Sequence, residues 1–195
     1  IEALQFLKDL VWTHKVAPNP SLTGDMGTSD MFKTGKIGMC TYGRWMCMQF
    51  KHITDFKWDV APFPGNKKKV SVLFDVCYAI ASESKHKEAA WLLMKYLMSK
   101  EGQTAVAESG HAIPARRSIA NSPAFLEAKI IPQKINSKVF LDGIPYSRPT
   151  PTNPFWNEIN TTVGRDMDYI FRNMEEGKDI RKVLTDIQKK VDDIF

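Results

Sequence analysis

Four histidines and three cysteines are all that 195 residues offer for metal or thiol chemistry, and they are scattered. His14, His52, His86 and His111 stand at no metal-ligand spacing from one another or from Cys40, Cys47 and Cys77, which argues against zinc. An odd number of cysteines in apolar settings predicts buried thiols and argues against a disulfide framework. No apolar run approaches the roughly eighteen residues of a membrane-spanning helix. No phosphate loop is present, and nothing pairs a nucleophile with a base. The net charge of +5 is moderate. Its densest basic run, Lys67-Lys68-Lys69 after Pro64-Gly65-Asn66, reads as a solvated hairpin tip, and no basic helix with interleaved aromatics accompanies it, so nucleic acid is excluded as a partner. The chain opens at Ile1-Glu2-Ala3-Leu4 without Met, a charged leader or a cleavage site. It is therefore read as part of a longer protein whose own beginning, with any targeting signal, lies outside it.

What is present divides into a mixed first part and a helical remainder. Leu4, Leu7, Leu10 and Val11 share one face of a helix within residues 1–13, which Pro18, Asn19, Pro20 and Gly24 break. Met31 to Thr34 reads as the last turn of a short helix closed by Gly35, and Lys36 to Tyr42 as a strand alternating Ile37, Met39 and Thr41 with small residues. Trp58 to Pro62 predicts a short strand, and Val70 to Ala81 is rich enough in β-formers for one or two more. From Ser82 the period becomes helical: Ser84 and Ser99 are expected to cap two helices, the second ended by Gly110, and Ser122-Pro123 opens a third. Ile144 to Pro154 carries four prolines and is expected to be extended. Two helices close the chain. Asn153 and Pro154 open the first, with Phe155, Ile159, Val163, Met167, Ile170 and Met174 in one stripe and Gly177 at its end. Asp179 caps the second, whose stripe is Ile180, Val183, Leu184, Ile187, Val191 and Ile194.

Two tryptophans stand at the edges of these elements. Trp45 follows Tyr42-Gly43-Arg44 at the end of the expected strand, and Trp156 follows Asn153-Pro154-Phe155 in the first turn of the expected helix. An indole inside an apolar stripe is core, whereas one at an edge offers a flat face with its N–H free for a polar partner, as the C–H faces and hydroxyls of a sugar require. On these residues alone both readings stand. Asn160, four residues after Trp156, shares its helix face and is either a hydrogen-bonding companion or an exposed helix residue. Asp75 lies in the apolar run Val72–Cys77, where a carboxylate is costly unless paired, with Arg116 for example, or turned to a polar ligand. Lys33, Lys36, Tyr42 and Arg44 are weaker candidates. Glu158 with Asp75 would form the carboxylate pair of a glycoside hydrolase, but neighbouring helix positions point to different faces, so Glu158 need not share that of Trp156.

Five segments carry a resemblance. They are Met31–Trp45, Tyr78–Trp91, Ser99–Gln103, Gly110–Arg116, and Pro154-Phe155-Trp156 through Gly177 and Asp179. Their residues and order resemble the bacterial extracellular solute-binding proteins of sugar-transporting ABC systems, the superfamily that includes the maltose-binding protein. The resemblance implies an α/β, periplasmic-binding-protein-like two-lobed fold with a cleft at the hinge, of which this chain looks like only the carboxy-terminal half. It implies a second-lobe segment at 1–72, a crossover segment at 73–150 that packs with the first lobe, and return helices of the second lobe at 151–195. Leu92, Leu93, Tyr96, Leu97 and Val106 are then expected as an exposed patch, through which the chain alone self-associates or along which it is loosely ordered.

By match to the family motif, Trp45 and Trp156 stand where aromatic residues stack on sugar. Asp75, Asn160 and Arg116 complete the expected substrate-binding set. The family's glycine-rich loop is replaced here by Val72–Cys77. The implied function is extracellular capture of a carbohydrate and its delivery to an ABC permease in the membrane, with no catalysis, cofactor or metal. The implied location is the extracellular face of the cytoplasmic membrane, through a lipid anchor, or the periplasm. A carbohydrate-active enzyme and a solute-binding protein for a peptide or polyamine are the alternative readings.

Overall fold

The computed structural model describes residues 1–19, 23–24, 26–173 and 179–195, without the side chains of 168–173. The expected helix end at Gly177, the positions Pro20 and Met174, and the side chain of Ile170 lie outside that description. In chain order the elements include α1 (Glu2–Lys8), α2 (Thr28–Lys33), α3 (Cys47–Phe50), β1 (Ser71–Leu73), α4 (Lys87–Leu97), α5 (Lys100–Glu108) and α6 (Arg117–Ala120). They continue with α7 (Pro123–Leu126), α8 (Lys138–Gly143), β2 (Ser147–Pro149), α9 (Trp156–Asn173) and α10 (Ile180–Asp192). By packing, the chain divides into two units, Ile1–Ile37 with Pro151–Phe195, and Gly38–Thr150.

In the first unit the helix ends follow local chemistry. Gly35 adopts φ 68°, and the N–H groups of Gly35 and Lys36 return to the carbonyls of Phe32 and Met31 at 2.9 and 2.8 Å, the paired bonds that close a helix on a left-handed residue. Asn153 accepts the Phe155 N–H through its side chain at 2.8 Å, just ahead of α9. Asp179 caps α10 by accepting the Arg181 N–H at 2.9 Å. Leu4, Ile180 and Ile187 form the buried cluster, against which Trp12, Val163, Met167, Val183, Leu184 and Val191 pack. The expected stripe of residues 1–13 is corrected here: Leu7 is exposed, and Trp12 packs on the cluster instead. A π-helical turn at Asp9–Thr13, where the His14 N–H reaches the Asp9 carbonyl at 2.7 Å, shifts the helical register from there on and so accounts for the placement of Trp12, though not for the exposure of Leu7.

The second unit is built on a different cluster, Ala107, Ile119 and the fully buried Phe125, with Ile113, Phe140 and Leu141 against it. Ser99 caps α5 by accepting the Gly102 N–H at 3.1 Å, Gly110 follows that helix at φ 70°, and Pro123 is the first residue of α7. Gly102 is needed for close approach: a Cβ there would lie 2.2 Å from the Tyr96 carbonyl oxygen and 2.8 Å from that of Leu97. Buried Gln103 donates to the Leu97 carbonyl at 3.0 Å and accepts the Ala115 N–H at 2.7 Å, tying α4 and the 113–117 loop to α5. Gln133 in turn clamps the 53–58 loop, donating to the carbonyls of Ile53 and Phe56 and accepting the Trp58 N–H at 3.0 Å.

Several sequence expectations change in this unit. Residues 36–42 and 58–62 are irregular rather than strands, and of 70–81 only Ser71–Leu73 is a strand, pairing in parallel with Ser147–Pro149 in register Val72 to Arg148. An extended run becomes a strand only where a neighbour completes its hydrogen-bond ladder, and β1 and β2 are the one such pair among the described residues. Without a strand at 58–62 the lysines at 67–69 are exposed but do not tip a hairpin. Ile144–Tyr146 is a 3₁₀ turn within the stretch expected to be extended. Ser84 does not cap α4; it accepts the His86 N–H at 3.2 Å, and His86 holds the cap position. Cys47 is buried and Cys40 half-buried, but Cys77, expected to be buried, is exposed.

The outer face of α4 is apolar and open. Trp91, Leu92, Leu93 and Tyr96 are each 50–60% exposed, and Phe74, Val76 and Tyr78 of the segment after β1 are exposed as well. Of the patch expected from sequence, Leu97 and Val106 are half-buried.

Candidate functional site

Trp45 sits in a 3₁₀ turn, Arg44–Met46, rather than at a strand end. Its neighbours in the turn point inward: Arg44 is 3% exposed and Met46 is buried, while Trp45 remains 44% exposed. The Arg44 guanidinium lies over the Phe125 ring at 4.8 Å and the Phe140 ring at 5.5 Å, and its Nη1 donates to Ser137 Oγ at 3.1 Å. Burial pushes the Arg44 pKa below its usual value, against the opposing pull of Cys47, and burial likewise pushes the Cys47 thiol up. Arg44 therefore anchors the turn to the second unit's core and is not itself presented to ligand. The Trp45 indole meets Phe74 edge to face, with ring centroids 5.8 Å apart at 73°. Phe74 was missed in the sequence; its signal is an aromatic directly before Asp75 in an apolar run.

Asp75 lies beyond the end of β1 and is exposed, so it carries none of the burial cost that the sequence suggested. It accepts the Cys77 thiol at 3.4 Å, and this hydrogen bond and the carboxylate charge push the Cys77 pKa up. No ion pair joins Asp75 to Arg116 among the described residues. Arg116 is exposed and donates from Nε to the Met98 carbonyl at 2.6 Å, at the C-terminal end of α4. Tyr42 is 41% exposed, with its ring edge-on to Phe50.

In the first unit, Trp156 is half-buried in the first turn of α9 and Asn160 is exposed one turn later, so the two share a helix side as their spacing requires. Glu158 is exposed between them. Lys33 pairs with Asp30 at 2.5 Å within α2, and Lys36 is exposed. Among the described residues no group of three His, Cys, Asp or Glu side chains is placed to hold a metal ion, and no helix is long and apolar enough to cross a membrane. The structure thus brings Trp45 beside the Phe74–Asp75 segment and leaves Arg116 in a separate backbone contact. Trp156 and Asn160 form their own pair on α9.

These elements are those of a bacterial extracellular solute-binding protein, and the family of that description matches residues 1–133, so the chain belongs to it. Among its relatives are a putative binding protein of Brucella abortus (strain 2308), 22% identical over all of this chain and 46% of that protein, and the galactooligosaccharide-binding protein of Bacillus subtilis (strain 168), 25% identical over 72% of this chain and 33% of that one. The chain spans about half the length of the first of these or less. An ABC substrate-binding protein of Listeria monocytogenes, solved in complex with cycloalternan, shares the fold at a TM-score of 0.82 over 98% of this chain and 48% of that one, with 23% identity. The chain therefore has a partial periplasmic-binding-protein fold, rich in helix and with few strands among the described residues.

Proposed function

We propose that this chain is the carboxy-terminal portion of a protein that captures an oligosaccharide outside the cell and delivers it to an ABC permease. The observation that carries this reading is its membership of the extracellular solute-binding family together with a partly exposed Trp45 on a buried anchor. The carbohydrate class draws on the relatives whose names specify galactooligosaccharide and cycloalternan. Within the second unit Trp45 offers a stacking surface and Asp75 and Arg116 offer polar groups, and within the first unit Trp156 offers a stacking surface and Asn160 a hydrogen-bonding side chain. Hinge closure around the sugar, with no covalent step, creates the form the transporter accepts. The protein stands lipid-anchored at the extracellular face of the membrane or free in the periplasm.

Calorimetric titration of the intact protein against cycloalternan, galactooligosaccharides, short peptides and polyamines tests this reading. Binding of an oligosaccharide that chromatography then recovers unchanged is expected. Binding confined to peptides or polyamines would remove the sugar assignment. Sugar turnover that disappears in Asp75→Asn would replace it with an enzyme.

In the same reading, the crossover segment within 73–150 packs with the first lobe, while 1–72 and 151–195 build the second; residues 38–72 nonetheless pack in one unit with 73–150, through Arg44 on Phe125 and Phe140 among other contacts. Support comes from the open apolar face of Trp91, Leu92, Leu93 and Tyr96 on α4, which such a lobe would cover. Studied alone, the 195-residue chain is then expected to self-associate through that face, with low hydrogen-exchange protection along α4. A monomer by light scattering with strong protection across 84–110 would show that the chain covers this face itself.

A further inference from the structure

We infer that Gly43 is a positioning residue that sets the Trp45 indole for stacking, an assignment resting on the reading of Trp45 as a sugar-facing residue. Gly43 does not serve the backbone, since its φ of −89° and ψ of 176° are open to any residue. It serves the ring. A Cβ on Gly43 would lie 2.0 Å from Trp45 Cζ3, 2.3 Å from Cη2 and 2.5 Å from Cε3, far inside the roughly 3.5–4.0 Å at which carbon atoms pack. The indole therefore folds back into the space a side chain at 43 would fill. The same ring meets Phe74 edge to face, with centroids 5.8 Å apart. The turn beneath is anchored by the Arg44 stack on Phe125 and Phe140 and the bond to Ser137, which opposes a backbone shift as a way to relieve a crowded ring.

An aromatic held in this way loses little freedom when a ligand arrives, which is how a stacking residue gains affinity without added contact area. The ligand chemistry it fits is the C–H face of a pyranose. Because the ring is the outer end of a 44% exposed side chain, crowding at 43 is relieved by swinging the indole away while the fold is kept.

The test is a four-member cycle in the intact protein, comprising the parent, Gly43→Ala, Trp45→Ala and the double variant, titrated with cycloalternan. Each is labelled with 5-fluorotryptophan, and the Trp45 fluorine resonance is assigned from Trp45→Phe. Gly43→Ala is expected to shift the Trp45 resonance alone, to leave the melting temperature unchanged and to weaken binding about tenfold, the ratio that corresponds to about 1.4 kcal/mol. In the Trp45→Ala background it is expected to cost no further affinity, because the ring it displaces is gone. An unmoved resonance, or equal losses in both backgrounds, would overturn the assignment. If Gly43→Ala does not fold, recovery of folding in the double variant upholds the ring seat and failure of both overturns it. If Trp45→Ala binds cycloalternan as the parent does, the sugar-facing reading falls, while the resonance still decides whether Gly43 seats the ring.

Discussion

Phe125→Ala is expected to destabilise the second packing unit by about 3–5 kcal/mol, the range for removing a fully buried aromatic ring. Phe125 has no exposed surface and packs with Ala107 and Ile119, so its deletion leaves a cavity that neighbours on three short helices must collapse to fill. It also lies 4.8 Å beneath the Arg44 guanidinium, which is 3% exposed and whose Nε and Nη2 are buried with no hydrogen-bond partner among the described residues. Removing the ring takes away a favourable cation–π face from a cation that is already poorly compensated, which places the loss toward the upper end of that range. Urea denaturation measures it. Phe195→Ala, at a ring 72% exposed, is the control and is expected to stay within about 0.5 kcal/mol of the parent. A loss below about 1 kcal/mol at Phe125 would mean that its site repacks freely and is not the centre of the unit.

Trp45→Ala and Trp156→Ala, each in the intact protein, are expected to weaken oligosaccharide binding about thirtyfold without lowering the melting temperature. Stacking removes on the order of 60–80 Å² of apolar surface from water, worth about 2 kcal/mol at about 25 cal/mol per Å². Trp45 is suited to this because its partner Phe74 touches one edge and leaves 44% of the residue open. Trp156 is half-buried at the start of α9, so its truncation is the more sensitive test of whether the residue is site or core. Titration calorimetry and thermal melting of both variants decide the matter. Unchanged affinity with a depressed melting temperature would assign the tryptophans to packing.

What the residue order determined without help was whatever closes over a few residues. Ser99 on Gly102, Asp179 on Arg181, Gly35 in the left-handed region and Pro123 at the first turn of α7 all follow from one side chain or one φ angle meeting backbone at most three residues away. The amphipathic stripe of α10 belongs with them, since Ile180 and Ile187 are buried where their spacing puts them. Ser84 marks the limit of such reasoning. It does hydrogen-bond the backbone two residues on, but the helix begins two residues later than a serine cap there would start it.

Tertiary structure alone decided the strands and the seating of Trp45. The runs at 36–42 and 58–62 have the composition of strands, yet among the described residues only Ser71–Leu73 found a partner, 76 residues away at Ser147–Pro149, because a ladder needs two segments in register and no single run contains that information. The same holds at Arg44. Nothing near it in the sequence shows that its guanidinium will be buried between Phe125 and Phe140 and bonded to Ser137, 93 residues on. That long-range burial turns Arg44 from a candidate ligand contact into the anchor of its turn, and leaves Trp45, the next residue, facing outward.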